Sequence, residues 1–235
     1  MVNFKSFKTA ASLIPHGVEN WDAMKDKVEI TLRGKENFDL AMSRSVHSLI
    51  EEDMVIFYIF RAKEEEGVKN IIYIPNKLMQ IWGITKEELR EAAIANTARE
   101  HPAMLEGLAD HLAKILKIGV PECFEEHMWV ATNNDGEEGA CVIMYPGFLD
   151  RTAAELEDDL FIIPSSIHEV IILKAHDSGL NGRDIAEEFK IMIPEVNSED
   201  VRPVERLSNI PYHYDREKKL LETVDNWLKR SDETL

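Results

Sequence analysis

The chain has 235 residues, of which 44% are hydrophobic and 8% aromatic, and its 44 acidic and 27 basic side chains give a net charge of −17. This composition excludes a disordered or fibrous protein and is typical of a globular chain with a buried core. Every apolar run is shorter than the roughly 18 residues of a membrane-spanning helix, so we expect a soluble, cytoplasmic protein without a membrane partner.

The first part of the chain is expected to begin with a helix at residues 4–13 and to continue with strands. The apolar run Met54–Phe60 has the length and composition of a strand that is covered on both faces. A charged stretch connects it to a second apolar run at 71–74, which predicts an antiparallel pair. Residues 28–32 are a further candidate strand, and residues 38–50 are expected to be helical or irregular.

Two helices are predicted between residues 85 and 118. Thr85 and Glu88 have the spacing of a capping box, in which each side chain binds the backbone N–H of the other residue. Apolar residues then recur at spacings of three and four, as in the buried stripe of a helix: Leu105, Leu108, Leu112 and Ile115. A helical hairpin insertion is the simplest interpretation.

Strands and helices are clustered in the second half of the chain. Strands are predicted at 128–132, 140–145, 160–163 and 167–173. Helices are predicted at 147–157, at 184–192 with Pro194 as its end, and from Leu220 to Leu228. The clustering predicts an α+β fold with a mainly antiparallel (mixed) sheet flanked by helices. We expect an N-terminal segment at 1–50 and an α+β domain at 51–235, or a single domain over 1–235.

Nearly all the excess acid lies in one third of the chain. Residues 121–200 contain 19 acidic and 4 basic side chains, whereas residues 1–120 contain 18 and 16 and residues 201–235 contain 7 of each. Such a surface repels phosphate backbones, so direct nucleic-acid binding is not expected, and a basic protein is the kind of partner that it would attract. The alternative is an acidic surface that serves solubility alone.

The segment Pro164–Glu169 contains the most reactive side chains of the chain. In a strand, His168 would share a face with Ser166, and Glu169 would lie on the opposite face. Ser166 as a nucleophile with His168 as its base is therefore the enzymatic option, although no nucleophile-elbow motif surrounds the serine. Binding and purely structural roles are the two alternatives, and we expect the structural one.

No metal or cofactor is expected from the spacing of candidate ligands. The other histidines, His111 and His176 among them, share no helix face with carboxylates at ligand spacing, and Cys123 and Cys141 are not paired in a zinc or disulfide pattern. The catalytic candidates are thus limited to Ser166, His168 and Glu169. Binding candidates carry hydroxyl, amide, imidazole or carboxylate groups: Ser165, Ser166, His168, Glu169, Asn133, Tyr212 and Tyr214.

A series of short motifs in one order resembles a bacterial family of unknown function from anaerobic gut bacteria. The motifs lie at 82–97, 128–133, 139–140, 145–146, 164–173, 195–197 and 207–214. The resemblance implies an intracellular bacterial protein, linked to mobile elements, and it transfers no activity or catalytic residue. The N-terminal portion is shorter than is usual in that family, and Pro194 interrupts the segment before Asn197.

Together these observations favour a non-enzymatic protein that binds another macromolecule through the acidic region 121–200. Inhibition of a DNA-binding protein by charge mimicry is a sharper form of this hypothesis. The alternative is a hydrolase or metal-binding enzyme that uses residues 164–169.

Overall fold

The computed structural model describes residues 17–38, 42–65, 68–117, 119, 127–164, 166–176 and 182–232. It contains two compact units: unit 1 comprises Met1–Thr31, Asp39–Ser48 and Phe57–Glu100, and unit 2 comprises Leu32–Phe38, Leu49–Ile56 and His101–Leu235. The predicted domain boundary at residue 50 stays a prediction. The helix expected at 4–13 lies outside the described residues. Within the described ranges, no helix is long and apolar enough to span a bilayer.

The first sheet follows a short helix, α1 (Trp21–Met24). Its strands are β1 (Val28–Gly34), β2 (His47–Ile50), β3 (Met54–Glu65) and β4 (Val68–Tyr73), in the order β1-β3-β2 with β4 also paired to β3. The predicted strands at 28–32 and 54–60 are confirmed, and both are longer than expected. Ile59 pairs with Tyr73 and Phe60 with Ile72, which confirms the antiparallel pair.

Helices α2 (Asn76–Trp82) and α3 (Lys86–Glu100) lie in unit 1. The capping box is confirmed, because the backbone N–H of Thr85 donates to Glu88 at 2.8 Å and that of Glu88 donates to Thr85 Oγ1 at 3.2 Å. These hydrogen bonds lower the pKa of the Glu88 carboxyl. The α3 helix buries Leu89 and Ala93.

The prediction of a helical hairpin is wrong for the segment between the two helices. The segment after α3 is a strand, β5 (Ala103–Gly107), and the second helix, α4 (Leu108–Leu116), begins only after it. Leu105 pairs with Ala131 of the next strand, so cross-strand hydrogen bonds decide its conformation and its helix-like spacing is a coincidence. Leu112 and Ile115 of the predicted buried stripe are 44% and 62% exposed.

A six-stranded sheet forms the centre of unit 2. The remaining strands are β6 (Met128–Asn133), β7 (Leu160–Ile163), β8 (Val170–Lys174), β9 (Tyr212–Asp215) and β10 (Leu220–Thr223). Their order is β10-β9-β7-β8-β6-β5, and every neighbouring pair is antiparallel. The α+β class with a mainly antiparallel sheet is therefore confirmed. The central position of β8 explains why Val170 and Ile172 are fully buried.

Besides α4, three helices accompany this sheet: α5 (Phe148–Leu156), α6 (Gly182–Asp200) and α7 (Val224–Asp232). One core cluster joins Phe161 of β7 to Phe189 of α6 and Leu228 of α7. The predicted end of a helix at Pro194 is wrong, because α6 continues to Asp200. Residues beyond the proline anchor this last part, since Asn197 is buried and donates to the backbone oxygen of Ser208 at 2.8 Å.

Two further segments differ from expectation. Residues 140–145 were expected to form a strand, but Gly139–Met144 is a 3₁₀ helix. Its residues from Gly139 to Ile143 are all buried, and an unbroken apolar run does not distinguish a strand from a buried helical turn. The C-terminal helix begins at Val224 and not at Leu220, because residues 220–223 pair with β9.

Candidate functional site

The segment that contains Ser166 and His168 is a bend and not a strand. Its strand β8 begins only at Val170, so the prediction that residues 167–169 belong to a strand is wrong. The backbone N–H of Ile167 donates to the backbone oxygen of Glu205 at 2.9 Å, and the backbone oxygen of Ile167 accepts from the backbone N–H of Ala140 at 3.1 Å. These contacts with two 3₁₀ helices, Gly139–Met144 and Pro203–Glu205, replace the pairing that a strand would have made. Ser165 lies outside the described residues.

Both ring nitrogens of His168 are engaged by neighbouring groups. Nδ1 accepts from the backbone N–H of Glu138 at 3.2 Å, so in a neutral ring the proton is on Nε2. Nε2 lies 3.3 Å from Oε1 of Glu205. The backbone oxygen of His168 also accepts from the hydroxyl of Thr132 at 2.8 Å. Through these contacts the His168 imidazole links Glu138 to Glu205 within unit 2.

Ser166 is oriented by the backbone and not by the imidazole of His168. Its Oγ accepts from the backbone N–H of His168 at 2.9 Å, and the residue makes an isolated bridge with Arg206. A serine nucleophile requires a base within hydrogen-bond distance of its hydroxyl. Among the described contacts, no ring nitrogen of His168 reaches that hydroxyl, so the geometry does not favour the hydrolase alternative.

Glu205 and Glu138 are the residues that sequence reasoning missed around His168. Burial opposes ionisation of Glu205, but hydrogen bonds from Arg202 and His168 outweigh it and hold the pKa of its carboxyl below the ordinary value. Glu138 has a left-handed backbone, with φ of 52°, and forms an ion pair with Arg33. No local sequence signal identifies these partners, because they are far from His168 along the chain.

Gly139 allows its backbone to pack closely against the backbone of His168 and Asn133. A Cβ at this position would lie 2.6 Å from the backbone oxygen of His168 and 2.1 Å from the hydroxyl oxygen of Thr132. Only glycine fits such an approach. Asn133 next to it is buried and closes the following turn, accepting from the N–H of Asp135 at 3.1 Å. Asn133 therefore orders the turn in this structure.

The two predicted tyrosines are buried, and each donates to a carboxylate. The hydroxyl of Tyr212 lies 2.8 Å from Asp53, and the hydroxyl of Tyr214 lies 2.6 Å from Asp150. Asp53 also accepts from the hydroxyl of Ser208 at 2.6 Å. Burial, followed by the neighbouring carboxylate, raises the pKa of both phenols, so they stay protonated. Their expected role in binding is untested, and their contacts here are internal.

The side chain of Glu169 lies beside His111 and not beside that of His168. Its Oε2 is 3.8 Å from Nε2 of His111, whose Nδ1 is hydrogen-bonded to Glu106 at 2.5 Å. Glu106 also binds Lys114, and these hydrogen bonds, that of Lys114 first, lower the pKa of the Glu106 carboxyl. The fold therefore unites β5, α4 and the bend before β8 in one charged group.

An acidic pocket of about 380 Å³ lies at one end of the second sheet. Its lining contains five carboxylates with one histidine and one arginine: Glu157, Asp158, Asp159, His176, Asp215, Arg216 and Glu217. Asp158 is hydrogen-bonded to Nδ1 of His176 at 2.6 Å, and Asp159 accepts from the N–H of Arg216 at 3.1 Å. The lining carries more negative than positive charge.

His213 is completely buried next to this pocket. It is stacked on Trp227 with ring centroids 4.5 Å apart, and its Nε2 lies 3.7 Å from Asp159 without a hydrogen bond. Burial lowers the pKa of His213 to about 4, so the ring is neutral at pH 7. It does not neutralise the carboxylates beside it.

Comparison with known proteins gives a family without an assigned activity. A family model described as a family of unknown function (DUF5688) matches residues 4–216. No curated protein and no solved structure matches the chain significantly.

Proposed function

The chain belongs to this family of unknown function, and we propose from the charges of its own surface that the protein binds a basic protein partner. Binding is assigned to the acidic region, residues 121–200, without an enzymatic step. Inhibition of a DNA-binding protein by charge mimicry is the specific form of this proposal. A bacterial, cytoplasmic setting with a link to mobile elements belongs to the same proposal.

Exposed carboxylates without cationic partners are the observation that carries the proposal. Seven acidic side chains of the region are exposed and form no ion pair with a described residue: Glu155, Glu157, Asp184, Glu188, Glu195, Glu199 and Asp200. Asp184, Glu188, Glu195 and Glu199 recur at intervals of four, seven and four residues, so they lie on one face of α6. Ile191 lies on the same face and is 74% exposed.

The few basic residues of the region leave this face uncompensated. Arg183 binds Asp232 of α7, and Lys190 binds Asp225 of α7 as well as Glu187. Carboxylates outside the region therefore neutralise part of the charge of both cations. The resulting negative field favours a basic protein surface and opposes a phosphate backbone.

The acidic pocket supports the same class of partner. Its volume of about 380 Å³ suits a single side chain and not a folded surface. Lysine and arginine side chains combine a positive charge with several N–H donors, which suits a lining rich in carboxylates. The pocket is therefore a second candidate contact for a basic partner, besides the acidic face of α6.

A labelled oligolysine peptide provides a defined probe for this proposal. We expect its fluorescence anisotropy to report binding that weakens between about 10 mM and about 500 mM NaCl, mainly through a slower association rate. The double variant Glu188→Gln/Glu195→Gln removes two charges from the α6 face and should bind the peptide more weakly.

The matched control removes two exposed charges from another helix, as Glu87→Gln/Glu91→Gln on α3. Equal weakening by both double variants would show that only the net charge of the chain matters. That result, or peptide binding that is insensitive to salt, would contradict the proposal.

A further inference from the structure

Two of the five carboxylates in the acidic pocket are satisfied by groups of the protein itself. Both oxygens of Asp158 accept hydrogen bonds from His176, at 2.6 Å from the ring and at 3.0 Å from the backbone. One oxygen of Asp215 binds the side chains of Lys218 and Arg230, each at 3.1 Å. The other accepts from two backbone N–H groups of the turn after β9. Every oxygen of these two carboxylates is therefore already engaged.

The other three carboxylates of the pocket have no lysine or arginine partner among the described residues. They belong to Glu157, Asp159 and Glu217. The lining also contains Arg216, so three negative charges face one positive charge. Glu157 directly follows the last residue of α5, and the negative end of that helix dipole therefore lies beside the pocket. This part of the lining attracts a cation.

His213 is a buried polar side chain without a partner, and it faces this lining. Neither ring nitrogen makes a hydrogen bond with a described residue, and Trp227 and Phe161 supply only aromatic contacts. Nε2 lies 3.7 Å from Oδ2 of Asp159. In the described structure this Oδ2 accepts no hydrogen bond, whereas Oδ1 accepts from the N–H of Arg216. Because buried polar groups are nearly always satisfied, the pair indicates a donor that enters from the pocket.

We propose that this pocket binds a primary alkylammonium group, with Oδ2 of Asp159 as its main acceptor. An ammonium nitrogen about 2.9 Å from Oδ2 comes within reach of Nε2 of His213, because the two acceptor atoms are 3.7 Å apart. The His213 ring is neutral at pH 7, so one of its nitrogens has a lone pair. This nitrogen is buried behind Asp159, and the second contact forms as the Asp159 side chain, 23% exposed, turns toward the ligand.

The free acceptors of the pocket suit an ammonium better than a guanidinium. A guanidinium is bound most strongly by a carboxylate that presents both oxygens to its fork. Oδ1 of Asp159 is occupied by the N–H of Arg216, and both oxygens of Asp158 are occupied by His176. An ammonium is compact and can direct its three donors to separate atoms. The geometry therefore favours lysine over arginine.

Lysine side chains and free polyamines both carry a primary alkylammonium group. A lysine of the basic partner is the source that follows from the proposed function, and for this source alone the inference rests on that function. The pocket volume of about 380 Å³ accommodates the stem of one lysine side chain. A free amine would use the same acceptors, so separate probes are needed for the group and for its source.

Backbone ¹H–¹⁵N spectra of the full chain test the site with n-butylammonium chloride, which reproduces the lysine side chain. We expect saturable shifts at Arg216 and Glu217, whose N–H groups bind Asp159 and Asp215. At equal ionic strength, n-propylguanidinium should bind more weakly. Tetramethylammonium should bind about tenfold more weakly or less, because it has no N–H donors. Equal binding of the three cations, or no saturable shift with n-butylammonium, would overturn the proposal.

Asp159→Asn should weaken n-butylammonium binding by about tenfold or more, because it removes the charged acceptor and keeps the shape of the side chain. Glu157→Gln changes an exposed residue of the lining and should also weaken binding, without a risk to folding. Glu155→Gln is the matched control, since Glu155 is exposed on α5 and does not line the pocket. Thermal melts establish that each variant is folded. An equal loss of affinity in the control would overturn the proposal.

Labelled oligolysine and oligoarginine peptides of equal length identify the source of the ammonium group. If a lysine side chain is the occupant, Asp159→Asn weakens oligolysine binding and has little effect on oligoarginine. If the variant weakens binding of n-butylammonium alone, the occupant is a free amine. Peptide binding that depends on the α6 carboxylates while Asp159→Asn affects no probe would overturn the ammonium site and keep the proposed function. Binding of n-butylammonium without any peptide binding would do the reverse.

Discussion

The hydroxyl of Tyr212 donates to the carboxylate of Asp53 at 2.8 Å, although 158 residues separate them along the chain. The same carboxylate accepts from the hydroxyl of Ser208 at 2.6 Å. Asp53 ends the turn before β3, and Tyr212 begins β9. This contact ties the early segment of unit 2 to its central sheet.

Tyr212→Phe should lower the free energy of unfolding by about 1.5 to 3 kcal/mol, because it leaves a carboxylate without one of its donors. Chemical denaturation measures this loss. The control is Tyr73→Phe, whose hydroxyl makes no hydrogen bond with a described residue, and we expect a change below about 0.5 kcal/mol. Similar losses in the two variants would show that the hydrogen bond to Asp53 does not stabilise the fold.

His168→Ala should destabilise the protein by about 1 to 3 kcal/mol, whereas Glu169→Ala should change stability by less than about 0.5 kcal/mol. The imidazole satisfies the N–H of Glu138 and contacts Glu205, but the Glu169 side chain is 42% exposed. Thermal melts of both variants at pH 7 provide the comparison. A larger loss for Glu169→Ala would contradict the structural role of His168.

Gly139→Ala should cost about 1 to 3 kcal/mol of stability, since the new Cβ would lie within 3 Å of the backbone oxygen of His168 and the backbone nitrogen of Asn133. Urea unfolding with a common slope measures the difference. Gly119→Ala is the control, because no atom of a described residue lies within 4 Å of its added Cβ. An unaffected Gly139→Ala protein would show that this backbone approach relaxes at little cost.

The lowered pKa of His213 predicts that the protein loses stability at acidic pH. Burial lowers this pKa from 6.5 to about 4, so the unfolded chain takes up the proton at a higher pH than the folded chain does. The neutral His213 ring therefore contributes on the order of 3 kcal/mol to the free energy of unfolding. This contribution is complete above about pH 6.5 and is lost as the pH falls to about 4. His213→Phe retains an aromatic ring beside Trp227 and should flatten this part of the stability profile. An unchanged profile would assign the acid sensitivity to other groups.

The acidic region predicts that salt stabilises the protein. Its unpaired carboxylates repel one another, and the Debye length decreases from about 30 Å at 10 mM salt to below about 8 Å at 500 mM. The melting temperature should therefore rise over this range of NaCl. A flat melting temperature would mean that basic residues elsewhere in the fold neutralise the region.

The sequence by itself determined the features that depend on neighbouring residues. Strand β3 is predicted by its apolar, β-branched run, and the start of α3 is predicted by Thr85 and Glu88, because strand propensity and helix capping are local properties. The α+β class follows from the clustering of such elements. The acidic character of residues 121–200 is equally independent of folding, since it is a matter of composition.

Only the tertiary structure decided the conformation of segments whose backbone partners are distant. Leu105 has helical spacing but pairs with β6, and Pro194 does not end α6 because residues beyond it are anchored by burial. The same reason separates His168 from Glu169: one contacts Glu138 and Glu205, and the other faces His111. Hydrogen bonds and burial between residues far apart in the chain outweigh local pattern, and no spacing along the sequence records them.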